Sequence, residues 1–64
     1  MKQSKMRIYD GRLSEIQVNE LNKELDKQSK MPIGRYTVTG DHGYYDIRIG
    51  FNKIKVYLIY ALNE

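Results

Sequence analysis

The stretch from Arg35 to Leu62, RYTVTGDHGYYDIRIGFNKIKVYLIYAL, leaves a short chain few choices of fold. Apolar and aromatic residues alternate with polar ones. Two turn signals divide the run: Gly40-Asp41-His42-Gly43 and the weaker Asn52-Lys53. The pattern predicts three antiparallel strands. With Asp41-His42 and Asn52-Lys53 as loop centres, one face pairs Val38 with Tyr45 and Tyr36 with Ile47. It then pairs Tyr45 with Tyr60, Ile47 with Leu58, Ile49 with Val56 and Phe51 with Ile54. Every member is apolar or Tyr, and a slip of one residue would turn the whole set to solvent. The opposite face carries Arg35, Thr37, Thr39, Tyr44, Asp46, Arg48, Lys55, Tyr57, Ile59 and Ala61.

Upstream, Lys5 to Tyr9 alternates, with Met6 and Ile8 on one side and Arg7 and Tyr9 on the other, which predicts a short strand. Asp10-Gly11-Arg12 is a turn. A helix over about 15–28 follows. Ser14 is its N-cap, Gln17 completes a capping box, and Leu13 with Val18 forms a hydrophobic staple. Glu15 suits the positive end of the helix dipole. Val18, Leu21 and Leu25 make a narrow apolar stripe, with Ile16 off it, over the strand–helix turn. Glu20, Lys23, Glu24 and Lys27 form a wet side with Glu20–Lys23 and Glu24–Lys27 pairs. Pro32 keeps Met31 out of helical geometry, and Met31 and Ile33 are placed to cap the end of the core.

The fold class is therefore α+β, in the order β-α-β-β-β, with one helix on one face of a four-stranded, mostly antiparallel sheet. The last strand is apolar on both faces near its end, which favours a central place. The first strand then lies beside it, in the order 2-3-4-1. The alternative, 1-2-3-4, would leave that apolar strand at an edge, open to another chain.

Sixty-four residues make a single domain, 1–64, with 1–4 as a flexible basic arm. A chain of this size buries only about 60% of the surface its unfolded form exposes. It has no Cys, hence no disulfide staple and no thiolate metal site, and a reducing cytoplasmic setting is expected. Stability must come from packing, from six Tyr side chains or from self-association, so a homodimer is a possible state. No apolar run is long enough to span a membrane, and MKQSKMRIYDG lacks the apolar segment of a signal peptide. The net charge of +3 comes mainly from Lys2, Lys5, Arg7 and Arg12, a secondary basic site. Such a balance permits contact with nucleic acid or an acidic protein surface and argues against an acidic mimic of DNA.

Chemistry has little to work with. His42 is the single His and lies in a turn beside Asp41, without a nucleophile nearby. Asp10, Asp41 and Asp46 lack metal-ligand spacing, so neither catalysis, metal nor cofactor is expected. Gly40-Asp41-His42-Gly43 matches the GxxG string with which KH domains clamp a nucleic-acid backbone. There the loop joins two helices, whereas here strand-patterned residues flank it, so a hairpin is expected.

The open sheet face is the candidate binding site: Arg35, Tyr44, Arg48, Lys55, Tyr57 and Ile59. Arg48 opposite Tyr57 would make a cation–π contact, and Arg35 opposite Arg48 needs Asp46 or a partner to offset like charges. Basic groups among aromatics suit a protein partner, where Tyr and Arg are enriched, or single-stranded nucleic acid, whose bases stack on such a platform. They also suit an open face that simply stays wet.

A Cys-free single domain with one helix over RYTVTGDHGYYDIRIGFNKIKVYLIYALNE resembles the small proteins carried by phages and mobile elements, among them the anti-CRISPR inhibitors of Cas nucleases. The resemblance covers size and style, and no motif defines that group. It implies stoichiometric occlusion of a nuclease or its guide complex, without chemistry of the protein's own.

Overall fold

In the computed structural model the protein is described over residues 5–27 and 32–62. The elements are β1 (Met6–Tyr9), α1 (Glu15–Lys27), β2 (Gly34–Thr39), β3 (Gly43–Ile49) and β4 (Lys53–Ala61). They form a mixed sheet of order β1-β4-β3-β2, with β1 parallel to β4 and the other pairs antiparallel. The apolar last strand is thus central, as expected, although only its helix-side residues Ile54, Val56 and Leu58 are buried. Lys2 and the remainder of the expected arm lie outside the described residues, as does Met31.

Helix α1 starts where the capping box places it. Ser14 Oγ accepts from the Gln17 amide at 3.4 Å, and Gln17 Oε1 accepts from the Ser14 amide at 2.8 Å. The buried stripe is Gln17, Leu21 and Leu25, rather than Val18, Leu21 and Leu25. Gln17 is 1% exposed because its Nε2 donates to the His42 carbonyl, which satisfies the amide inside the core. Val18 is half-buried, and Ile16 is exposed instead of covering the strand–helix turn. Ile33 is also exposed and caps nothing.

Strands β2 and β3 pair as expected, Tyr36 with Ile47 and Val38 with Tyr45. The second hairpin is displaced by two residues. Tyr45 lies opposite Leu58, Ile47 opposite Val56 and Ile49 opposite Ile54. The turn centres on Phe51-Asn52, closed by the Gly50 amide donating to the Lys53 carbonyl at 2.8 Å. A glycine at the turn's edge outweighed the Asn-Lys signal. A shift of two preserves the faces, so Tyr45, Ile47, Ile49, Ile54, Val56 and Leu58 stay in the core with different partners. Phe51 leaves the core for the turn tip, where it is 88% exposed. Tyr44 lies opposite Tyr60 and Tyr45 opposite Leu58, leaving Ile59 as an extra, unpaired residue. That bulge moves Tyr60 from its expected core position to the open face.

The core is Leu21 and Leu25 of α1 against Tyr45, Ile47, Ile49, Ile54, Val56 and Leu58, flanked by Tyr9, Leu13, Tyr36 and Val38. Asp10 ends β1 in the expected turn. Its carboxylate accepts from the Arg12 amide at 3.1 Å and from the Leu58 amide at 3.3 Å, beside the bulge.

Candidate binding face

One sheet face lies under α1, and the other has no covering element among the described residues. Three cations align across the open face: Arg35 lies opposite Arg48, and Arg48 opposite Lys55. The next row holds Thr37, Asp46 and Tyr57. Tyr57 is therefore not directly opposite Arg48, as expected, but diagonal to it. The contact still forms, with the Arg48 guanidinium 4.7 Å from the Tyr57 ring centroid.

Asp46 organises this cluster. Its Oδ1 accepts from Arg35 Nε and its Oδ2 from Arg48 Nε, each at 3.2 Å. The Asp46 side chain is 9% exposed, while those of Arg35 and Arg48 are 70% and 49% exposed. Burial pushes the Asp46 pKa up, but hydrogen bonds from Arg35 and Arg48 and their positive charge outweigh it and hold the carboxyl below its ordinary value. One nearly buried carboxylate thus holds two mostly wet guanidiniums. The like-charge pair is offset from within the sheet, not left for a partner to neutralise.

Aromatic surface flanks the cations. Tyr44 and Tyr60 stack with centroids 5.2 Å apart, and Tyr60 is 52% exposed. Ile59 is 42% exposed at the bulge. Met6 and Ile8 of β1 add exposed apolar area, with Ile8 beside Lys55. All six residues expected at the site are in β2, β3 and β4, and Arg35, Arg48, Tyr57 and Lys55 are gathered most closely. Tyr60, Met6 and Ile8 join them. The bulge that brings Tyr60 has no sequence signal, whereas Met6 and Ile8 were legible as one side of β1.

The basic arm does not join the site as one unit. Arg7 faces the helix, donating from Nη2 to Asp26 at 2.8 Å and from Nη1 to Asn22 at 3.3 Å. The hydrogen bond to Asp26 raises its pKa against the opposing effect of burial. Tyr9, on the same side of β1, donates to Asn22, and burial raises its pKa. Arg7 is therefore an anchor of β1 to α1 rather than a free cation. Arg12 is exposed and Lys5 half-exposed.

The other hairpin end is built for rigidity. Glu20, expected on the wet side of α1 with Lys23, accepts instead from the Asp41 amide at 2.6 Å, the His42 amide at 3.2 Å and the Tyr45 hydroxyl at 2.7 Å. A Cβ on Gly40 would overlap this carboxylate, so the turn glycine makes room for the clamp. Burial, then the bond to Glu20, pushes the Tyr45 pKa well up. His42 takes part through its backbone, its carbonyl also accepting from the Leu62 amide at 3.0 Å. Beside the clamp runs a groove of about 450 Å³ lined by Ile16, Lys23, Glu24, Lys27 and His42 among others. Among the described residues, no group of three or more His, Cys, Asp or Glu side chains is placed to share a metal ion. No helix there is long and apolar enough to cross a membrane.

No protein-family model, curated protein or solved structure matches this chain.

Proposed function

We propose that this protein is a non-enzymatic binding module that occupies an acidic surface of a partner through the open sheet face. The observation that carries the reading is the Arg35–Asp46–Arg48 cluster with Tyr57 beneath Arg48. A buried carboxylate holds both guanidiniums in place before any partner arrives, which lowers the ordering cost of binding. Lys53 and Lys55 extend the cationic strip along β4, and Tyr44, Tyr60 and Ile59 supply apolar and aromatic area beside it. The finer reading takes the partner to be a nucleoprotein such as a Cas nuclease with its guide. Phosphates and acidic side chains would then meet the cations while the tyrosines pack on protein. Inhibition would follow from occlusion alone.

The second reading, direct binding of single-stranded nucleic acid, is favoured by the Tyr44–Tyr60 stack beside the cationic row. It predicts affinity for a labelled oligonucleotide that falls steeply with salt. Under the first reading, the chain blocks target cleavage by a reconstituted Cas–guide complex at one protein per complex. The double variant Arg48→Ala/Tyr57→Ala then loses that block with its circular dichroism unchanged. Undiminished inhibition by the double variant rules out this face. Tight oligonucleotide binding without inhibition selects the second reading.

A further inference from the structure

The two edges of the sheet are unequal. In β1 the amides of Met6 and Asp10 point inward to β4, donating to Asn52 and Val56, so only Arg7 and Tyr9 turn their backbone outward. Strand β2 is longer, and the Gly40 amide donates to the Gly43 carbonyl at the head of its ladder with β3. Alternation along an antiparallel pair then directs the backbone groups of Gly34, Tyr36 and Val38 to β3. Those of Arg35, Thr37 and Thr39 are directed outward, three amides and three carbonyls in a row.

That row complements itself. About a two-fold axis at Thr37, Arg35 of one copy lies opposite Thr39 of the other, Tyr36 opposite Val38, and Thr37 opposite Thr37. The three outward residues become three hydrogen-bonded pairs. The helix-side apolar residues Tyr36 and Val38 meet each other, no like charges are opposed, and the threonines form a cross-strand pair of a favourable kind. Of the usual protections of an edge, the strand carries one charged side chain, Arg35, and contains no Pro, no Lys and no bulge.

We propose that β2 pairs antiparallel with β2 of a second copy of this chain, centred on Thr37, giving a continuous eight-stranded sheet. The two-fold axis stands perpendicular to the sheet. Both helices then lie on one side, and both Arg35–Asp46–Arg48 clusters share the other. The pairing rests on the free backbone edge and does not depend on the binding role proposed for the open face.

The test uses the full chain, the Thr37→Lys variant and two single-cysteine variants, whose crosslinks the absence of native Cys makes unambiguous. Light scattering at millimolar concentration should give twice the 7.6 kDa of one chain. Thr37→Lys, which sets two ammonium groups against each other across the axis, should give the monomer mass with unchanged circular dichroism. Thr37→Cys should oxidise to a covalent dimer, because directly opposite residues in a hydrogen-bonded pair have Cα atoms about 5.5 Å apart, within disulfide reach. Thr39→Cys should not, since the two copies of residue 39 lie about 13 Å apart along the strands. A monomeric wild-type chain overturns the proposal. So does a dimer indifferent to Thr37→Lys, or equal crosslinking by the two cysteine variants.

Discussion

On each side of the sheet one carboxylate organises its neighbours, Glu20 from α1 and Asp46 from β3, and the two do so to opposite ends. On the helix side, Glu20 reaches across to the β2–β3 turn and accepts from two backbone amides and the Tyr45 hydroxyl. It joins helix to hairpin. On the open side, Asp46 bonds two arginines of its own sheet and leaves their outer surfaces wet. A carboxylate that collects backbone donors stabilises the fold. One that collects exposed guanidiniums spends little on stability and fixes the geometry of a surface.

The largest effect should come from the core that separates the faces. Ile47 is fully buried between Tyr36 and Val56, so Ile47→Ala should cost about 2–5 kcal/mol, read as the shift of a urea midpoint. In a domain this small, that is enough to unfold much of the population. A loss below 1 kcal/mol, by the same scale, would mean that the core is looser than its burial indicates.

Next comes the helix-side carboxylate. Glu20→Ala strands the fully buried Tyr45 hydroxyl and should cost about 1–3 kcal/mol. Alkaline pH attacks the same contact. The Tyr45 pKa in the folded state lies above the unfolded value of about 10, so its contribution is complete below that pH and is lost as pH rises beyond it. Tyr45→Phe should flatten the alkaline limb of a stability–pH curve, leaving a smaller slope from Tyr9, whose pKa is also raised.

Asp46→Asn should cost less, about 1 kcal/mol or under, because both arginine partners are substantially exposed and screened. It should nevertheless abolish partner binding if the cluster acts as proposed. The folded pKa of Asp46 lies below the unfolded value of about 3.9, so its stabilisation is present above that pH and lost as pH falls through the folded value. The Asn variant should show a shallower acid limb than wild type. An unchanged limb would mean that the two arginine bonds do not persist in solution.

Smallest of all for stability is the Arg48–Tyr57 contact, about 0.5–1 kcal/mol at an exposed site. A double-mutant cycle reads it directly. A Tyr57→Ala penalty several times larger would place Tyr57 in the structural class with Tyr45 and weaken the contrast between the faces.

Local chemistry alone determined much of this protein. Ser14 and Gln17 set the helix start, Gly40 and Gly43 set the first hairpin and its register, and the period-two pattern sorted Tyr45, Ile47, Ile49, Val56 and Leu58 to the core. The apolar run of the last strand also pointed to its central place, although burial covers only the helix-side residues Ile54, Val56 and Leu58 and leaves Ile59 and Tyr60 exposed. These signals work within a few residues, or through a period that survives any even shift. The second register was decided elsewhere, since a slip of two keeps every side chain on its face and only the Gly50–Lys53 closure distinguishes the alternatives. The bulge at Ile59, the turn of Arg7 toward Asp26, and the reach of Glu20 to hairpin residues 21 and 22 positions away depend on which elements meet in space. An exposed-looking Glu on a helix reads as solvated until the fold brings two unsatisfied amides and a buried hydroxyl within hydrogen-bond distance of it.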